Sequence, residues 1–452
     1  KPMPKKYQFS INLLQLPIHE FHDLYSLGNI PLAAGYLEAS ALKAGLTWKE
    51  SFHILPRSIA NYTGDPAILD WILEDNPTIV GFSNYMWNIQ RNIHLAQKLK
   101  ETSPDTIVIM GGPEIAPQHW AIGNNAIDAF VFGEGEGAFI DLLRDVNNQK
   151  PLERFYRHPT PVNLEEIPNP YLENLLVPQP NESMFLETMR GCPYSCKYCF
   201  YSKSYSSLRF FPAGYLPKLF ALARDYDVPE LYFMDPSFNV SPQLSRKLEY
   251  VQHLNTTGIP IHTEIRLEGV TREIASAMKK AGFRSVEAGL QSVNGKSLAA
   301  IGRTWDRKKF RRGAKLLQEQ GIEIKTGIIL GLPFDDPKDL ERTLDFVLDL
   351  NLAESMEIYP LSLIPGTRLR DEAESLGITY MPHPPYWVLS TPFLEQGGLK
   401  FALESIEDKL DIEFFPPVIP RFENSHPPYI HFLDLRERKK QESQLNDLYC
   451  AP

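Results

Sequence analysis

Twice along the chain, short β-branched or apolar runs alternate with amphipathic stretches of helical period, and this alternation constrains the fold more than any other feature. In the first series the runs fall at residues 8–14, 52–55, 78–82, 106–110 and 128–132. The stretches beside them are 31–44, 66–74, 88–100, 114–122 and 136–144. Strands separated by helices imply a parallel sheet with crossovers on both faces, a doubly wound α/β domain. Such sheets bind ligands beyond the C-terminal ends of their strands, where the strand order switches. Three of these ends read Ser83-Asn84-Tyr85, Gly111-Gly112-Pro113-Glu114 and Gly133-Glu134-Gly135-Glu136. Glycine there either turns the chain into the next helix or lets the backbone approach a large flat ligand. Three such ends on one edge favour the ligand.

Residues 148–182 carry seven prolines, which argues for a spanning linker. A second alternating series follows, with strands expected at 184–188, 230–234, 261–265, 284–288, 323–329 and 356–360. Helical stretches between them include 271–281, 307–320 and 337–350. Six strands fit a partial βα barrel rather than a closed eight-stranded one, with chemistry at the C-terminal strand ends. The alternation stops near 376. Residues 380–430 are rich in proline and aromatics, and 433–448 read as a polar terminal helix. The expected division is 1–147, linker 148–182, barrel 183–375 and a C-terminal lobe 376–452. That lobe either covers the open barrel or simply packs against it, and Cys450 reads as a free surface thiol.

Three of the four cysteines, Cys192, Cys196 and Cys199, follow the first strand of the second series in the spacing C-x3-C-x2-C. A set of three cannot pair internally as disulfides. Structural zinc takes four protein ligands and would need a distant partner. A cubane iron–sulfur cluster accepts three thiolates and keeps one iron open for another ligand. Incidental buried cysteines are the remaining alternative.

These cysteines, with Tyr198 before the last of them, resemble the signature of the radical S-adenosylmethionine (SAM) enzymes. Glu187-Thr188-Met189-Arg190-Gly191-Cys192-Pro193 is similar to the subset with an N-terminal cobalamin-binding domain, and the resemblance covers roughly residues 7–375. It implies a [4Fe-4S] cluster on Cys192, Cys196 and Cys199, whose open iron is chelated by SAM. Reductive cleavage then gives a 5′-deoxyadenosyl radical. Tyr198 and Phe200 would border the adenine, beside Gly327 and Ile329 in a Gly-x-Ile-x-Gly stretch. Asp235 is the candidate for the methionyl amino group. Glu264 and Arg266 would lie near the methionyl and ribose parts, or form a solvated ion pair. Gln291 and Ser292 could bond the same groups, and Arg303 the carboxylate, while Glu287 reads equally as a structural acid.

For cobalamin, the resemblance carries over Ser83, with Tyr85 beside it, and Gly111, Gly112, Gly133 and Glu134. One departure concerns the cobalt's lower ligand. The best match to the family's Asp-x-His-x-x-Gly is Asp23-Leu24-Tyr25-Ser26-Leu27-Gly28, with Tyr25 in the histidine's place and His22 out of register. A phenol with pKa of about 10 is a poor cobalt ligand at neutral pH. Either cobalamin binds without a protein imidazole, or the domain keeps the fold without the cofactor.

The formal charge of −10 gives no reason to expect nucleic acid or an anionic membrane as partner. No run approaches the 18 apolar residues of a membrane span, so none is expected. Four cysteines, three of them clustered, fit a reducing interior, and a cytoplasmic location is expected. The expected activity is methyl transfer to an unactivated carbon of a small-molecule or peptide substrate, with electrons from an external flavodoxin- or ferredoxin-type donor. Ring formation, rearrangement or oxidation without methyl transfer is the alternative among enzymes. An iron–sulfur carrier or sensor is the alternative outside them.

Overall fold

The computed structural model describes residues 10–18, 29–46, 51–203, 207–395 and 397–410. The N-terminal sheet contains β1 (Ile11–Leu14), β2 (Phe52–Ile54), β3 (Ile79–Ser83), β4 (Ile107–Gly111), β5 (Ala129–Val131) and β6 (Phe155–Tyr156). All are parallel, in the order β2-β1-β3-β4-β5-β6. The order reverses at β1, so the switch point lies between β1 and β3.

Alternate residues of these strands feed two separate cores, one on each face. Val80, Phe82, Val108, Met110 and Phe130 enter one. Ile79, Ile109, Ala129 and Val131 enter the other, where Phe139 and Leu142 of helix Gly135–Asn147 cover them. Each fully buried side chain of this size contributes about 1.5–3 kcal/mol.

The second sheet runs β14-β13-β12-β11-β10-β7, again all parallel. Its strands are β7 (Met184–Leu186), β10 (Leu231–Phe233), β11 (Ile261–Glu264), β12 (Phe283–Glu287), β13 (Glu323–Leu330) and β14 (Met356–Pro360). The first and last of these are not paired with each other, so the barrel is open. Between β7 and β10 the chain makes a small antiparallel pair, β8 (Met189–Arg190) with β9 (Arg209–Phe210), and the cysteines lie in the connection.

The structure corrects two expectations. Residues 114–122 are not an α-helix; only a 3-10 turn forms, at Trp120–Gly123. The proline-rich linker contributes β6, which extends the N-terminal sheet. In the C-terminal lobe a hairpin of β15 (Thr379–Tyr380) and β16 (Val388–Ser390) precedes helix Gly398–Leu410, whose Leu399 and Ile406 join the barrel's core. The helix expected at 433–448, Cys450, His22 and the stretch containing Tyr25 lie outside the described residues.

Candidate active site between two sets of strand ends

A cavity of about 780 Å³ lies where the C-terminal ends of the N-terminal strands meet the mouth of the barrel. Ser83, Tyr85, Gly111, Gly112, Gly133 and Glu134 all line it, so the residues singled out on three strand ends converge on one space. Phe185, Glu187, Arg190, Phe200 and Met234 close it from the barrel side. No histidine is among its described lining residues, and Tyr85 and Trp87 stack there with ring centroids 4.5 Å apart.

Gly112 shows why this edge is built of glycine. Its φ is +102°, and a β-carbon there would stand 2.7 Å from the main-chain nitrogen and oxygen of Asn84. Asn84 is itself locked: its amide donates to the Phe82 and Gly111 carbonyls, and its side-chain oxygen accepts from Asn92. Asn88 donates to the carbonyls of Leu16 and Ser83. Three asparagines four residues apart thus tie the ends of β1, β3 and β4 together. Sequence reading singled out the strand end that holds Asn84 but missed Asn88 and Asn92, although the N-x3-N-x3-N spacing was there to see.

Arg190 forms the wall between the two halves. Its guanidinium makes a two-pronged contact with Glu187, at 3.0 and 2.9 Å, and donates to Glu136 at 2.7 Å. The rings of Tyr36 and Phe211 flank it at 5.2 and 5.3 Å. Glu134, expected at the cofactor, spends its carboxylate on Arg209 and the Val162 N–H, because these are the donors nearest to a group with little exposure. It lines the cavity and pins β9 and the linker to the N-terminal domain.

On the barrel side, the cysteine loop is held by its backbone. Lys197 N–H donates to the Ile301 carbonyl at 2.8 Å, and the Lys197 carbonyl accepts from Leu369. Gly302, φ +69°, lies under the loop, where a β-carbon would come within 2.9 Å of the Ser195 carbonyl oxygen. Cys196 is buried and the other two cysteines half-buried. Burial is the main cause that raises the Cys192 thiol, and it pushes Cys199 to about 11, with the neighbouring thiols adding to the effect. Among the described residues no three His, Cys, Asp or Glu side chains are close enough together to hold a single metal ion.

Two arginines converge beside this loop. Arg266 stacks over Tyr194 at 4.5 Å, and both Arg266 and Arg303 bear on the Tyr198 hydroxyl electrostatically. Arg303 donates to the Gly289 carbonyl, and Arg266 to Glu268 and the Thr304 carbonyl. The Nε–H of each arginine is buried with no hydrogen-bond partner. Two orphaned guanidinium donors are an unsatisfied demand for an anion, and a carboxylate is the group their geometry suits. Glu264, at the end of β11, is pushed up to about 8 by burial and then by the carboxylates of Glu287 and Asp235. It makes no ion pair with Arg266, whose partner is Glu268, and the Glu287 carboxyl is raised as well, burial again leading.

Other expected residues fall elsewhere. Asp235 is fully buried and its oxygens are taken by the Thr188 and Met189 N–H groups, the Thr188 hydroxyl and Lys247, so it holds the turn after β7. Ser292 is buried against Asn294, whose N–H it accepts, and faces Asp335. Gln291, φ +71°, bridges to β13: its N–H donates to the Gly327 carbonyl, and its carbonyl accepts from Ile329. Its side chain lies over Gly289, next to Arg303. Phe200 faces the large cavity, whereas Tyr198 packs on the barrel core, so the two rings part.

Comparison with known proteins finds the same two domains in the same order. The B12 binding domain family matches residues 30–143 and the Radical SAM superfamily residues 186–347. The chain is 25% identical over 412 residues to the 2-(S-pantetheinyl)-carbapenam-3-carboxylate methyltransferase of Streptantibioticus cattleyicolor, covering 79% of this chain and 57% of that protein. It is 26% identical over 365 residues to the cobalamin-dependent radical SAM methyltransferase TokK of Streptomyces tokunonensis, covering 70% and 51%. The chain thus spans little more than half the length of these relatives. Among solved structures, TsrM of Kitasatospora setae aligns with a TM-score of 0.64 at 16% identity, over 85% of this chain and 79% of that one. The cobalamin-dependent radical enzyme OxsB aligns with a TM-score of 0.67 at 15% identity, over 97% and 71%. The two domains bring with them a [4Fe-4S] cluster, SAM and cobalamin as cofactors. The chain carries a B12-binding domain followed by a radical SAM domain.

Proposed function

We propose that the chain transfers a methyl group to an unactivated carbon of a small-molecule or peptide substrate held between the two domains. The observation that carries this reading is the shared cavity: glycine-edged strand ends form one wall, and the barrel mouth next to the cysteine loop forms the other. The bound cofactors supply a carbon radical strong enough to take hydrogen from an unreactive C–H bond, and the methyl group that replaces it.

The chain's own part is to hold and to seal. Cys192, Cys196 and Cys199 hold the cluster, and the backbone bonds of Lys197 keep their loop on the barrel rim. The free Nε–H groups of Arg266 and Arg303 receive the SAM carboxylate. Glu264 is largely protonated near neutral pH and can donate a hydrogen bond from its carboxyl. Gln291 orders the backbone between β12 and β13 at the adenine side. Ser83, Gly111, Gly112 and Gly133 present main chain to the cobalamin, with Tyr85 and Trp87 stacked beside them. Asp235 and Ser292 act behind the site by fixing turns. Phe185, Phe200 and Met234 keep the space between the domains apolar and exclude water, which protects reactive intermediates. Electrons come from an external flavodoxin- or ferredoxin-type donor.

The test is reductive turnover by anaerobically reconstituted protein supplied with SAM and dithionite. Formation of 5′-deoxyadenosine, abolished in Cys196→Ala, together with S-adenosylhomocysteine supports the reading. Deoxyadenosine without S-adenosylhomocysteine, in cobalamin-loaded protein given candidate substrates, favours a radical reaction without methyl transfer. Deoxyadenosine from Cys196→Ala would sink both.

A further inference from the structure

A second cavity, of about 540 Å³, lies on the other side of Glu187, which lines both spaces. Phe211, Pro212, Leu216, Leu219 and Tyr250 give it apolar walls, and Phe210, 41% exposed, stands at its rim. Helices Leu216–Asp225 and Leu244–Leu254 both begin at this space. Neither has a side-chain N-cap bond or an acidic residue in its first turn. No carboxylate in either first turn offsets the positive end of the helix dipole beside the cavity.

Its charged lining residues are Glu187, Arg246 and Lys247. The Glu187 carboxylate is engaged by Arg190, and Lys247 is engaged by the buried Asp235 at 2.8 Å. Arg246, in the first turn of the second helix, has no hydrogen bond or ion pair among the described residues. An exposed arginine is ordinarily just solvated. Here it lines an apolar pocket whose only acid, Glu187, is already engaged by Arg190, so the space has one cation in excess. We propose that this second cavity is a separate ligand site that takes an organic anion, a single negatively charged group on an apolar or aromatic body. The proposal does not depend on what the first cavity holds.

The probes are 1-anilinonaphthalene-8-sulfonate and its uncharged counterpart N-phenyl-1-naphthylamine, measured by equilibrium dialysis against cluster-reconstituted, cobalamin-loaded protein. Two variants read the site: Arg246→Glu reverses the free charge, and Ala213→Trp, at an exposed lining position, fills the space. The sulfonate is expected to bind one per chain and to weaken about tenfold or more in Arg246→Glu, while the neutral probe changes less than about twofold. Ala213→Trp is expected to weaken both. Equal effects of Arg246→Glu on the two probes, or no effect on the sulfonate, would overturn the anion assignment. Binding untouched by Ala213→Trp would place the probes elsewhere and overturn the site. Cobalamin content and cluster absorbance of each variant, expected unchanged, show separately whether the first cavity still works.

Discussion

Arg190 donates to Glu136 across 2.7 Å, and this bond joins the strand that leads into the cysteine loop to the helix that follows β5. Cys192 is two residues on, so the cluster-binding loop is tied to the other domain just before its first cysteine. The guanidinium, with only 15% of its side chain exposed, answers three carboxylates, Glu134, Glu136 and Glu187.

Removing that charge while keeping the bulk leaves Glu136 and Glu187 uncompensated, while Glu134 keeps Arg209. Arg190→Met is expected to destabilise the protein by about 3–5 kcal/mol, the cost typical of breaking a buried pair from one side. Denaturant unfolding of the cluster-free protein checks this. A change below about 1 kcal/mol would mean that the node is solvated and weak.

Gly112→Ala puts a methyl group onto the Asn84 backbone at a φ of +102°. Cobalamin affinity is expected to fall about tenfold or more, since a shift of that edge costs at least about 1.4 kcal/mol. Cluster content should be unchanged. Dialysis against hydroxocobalamin and iron analysis of the same sample separate the two.

A third contact spans the sheet edge and the C-terminal lobe. Tyr386 is fully buried; its hydroxyl donates to Glu114 and accepts from the Trp120 indole N–H at 2.8 Å, next to His119. Tyr386→Phe leaves Glu114 and Trp120 each short of a partner and is expected to cost about 1–3 kcal/mol. Because Glu114 directly follows Gly112-Pro113, cobalamin binding should weaken as well. Unchanged unfolding and unchanged cobalamin affinity would show that the lobe docks without this bond.

Acid should loosen the barrel through His262. Burial, aided by Lys325, holds its imidazole down to about 4, and its ring nitrogen is paired with the Ser285 hydroxyl at 2.6 Å. The unfolded chain takes up a proton near pH 6.5, which the folded chain refuses until about 4. The stability this neutral histidine contributes is therefore full above about pH 6.5 and is lost as pH falls toward 4. His262→Gln should flatten the fall in melting temperature over that interval. An identical slope in the variant would assign it to carboxylates instead.

Both sheets, their parallel sense and the barrel's openness were legible because the central strands of the periodic series bury both faces, which leaves a β-branched, apolar trace. The six strand-end residues that meet in one cavity were legible for a topological reason: a parallel sheet delivers all its C-terminal ends to one edge. Two features erased the trace elsewhere. Phe155–Tyr156 is two residues long, too short for any period to register among prolines. Tyr386 meets Glu114 across 272 residues, and nothing local marks either partner. Asp235 and Ser292 sit at the expected strand ends, yet Lys247 and Asn294 claim their side chains, and sequence position gives no orientation. Of the aromatics expected in the C-terminal lobe, Phe414, Phe415, Tyr429 and Phe432 lie outside the described residues.

The most direct test of the account is the corrin and iron content of anaerobically purified protein supplied with cobalamin. The account predicts about one tightly bound cobalamin per chain together with a four-iron cluster, and loss of the corrin, but not of the iron, in Gly112→Ala. A four-iron spectrum with no retained corrin would contradict it, reducing the glycine-edged domain to a scaffold.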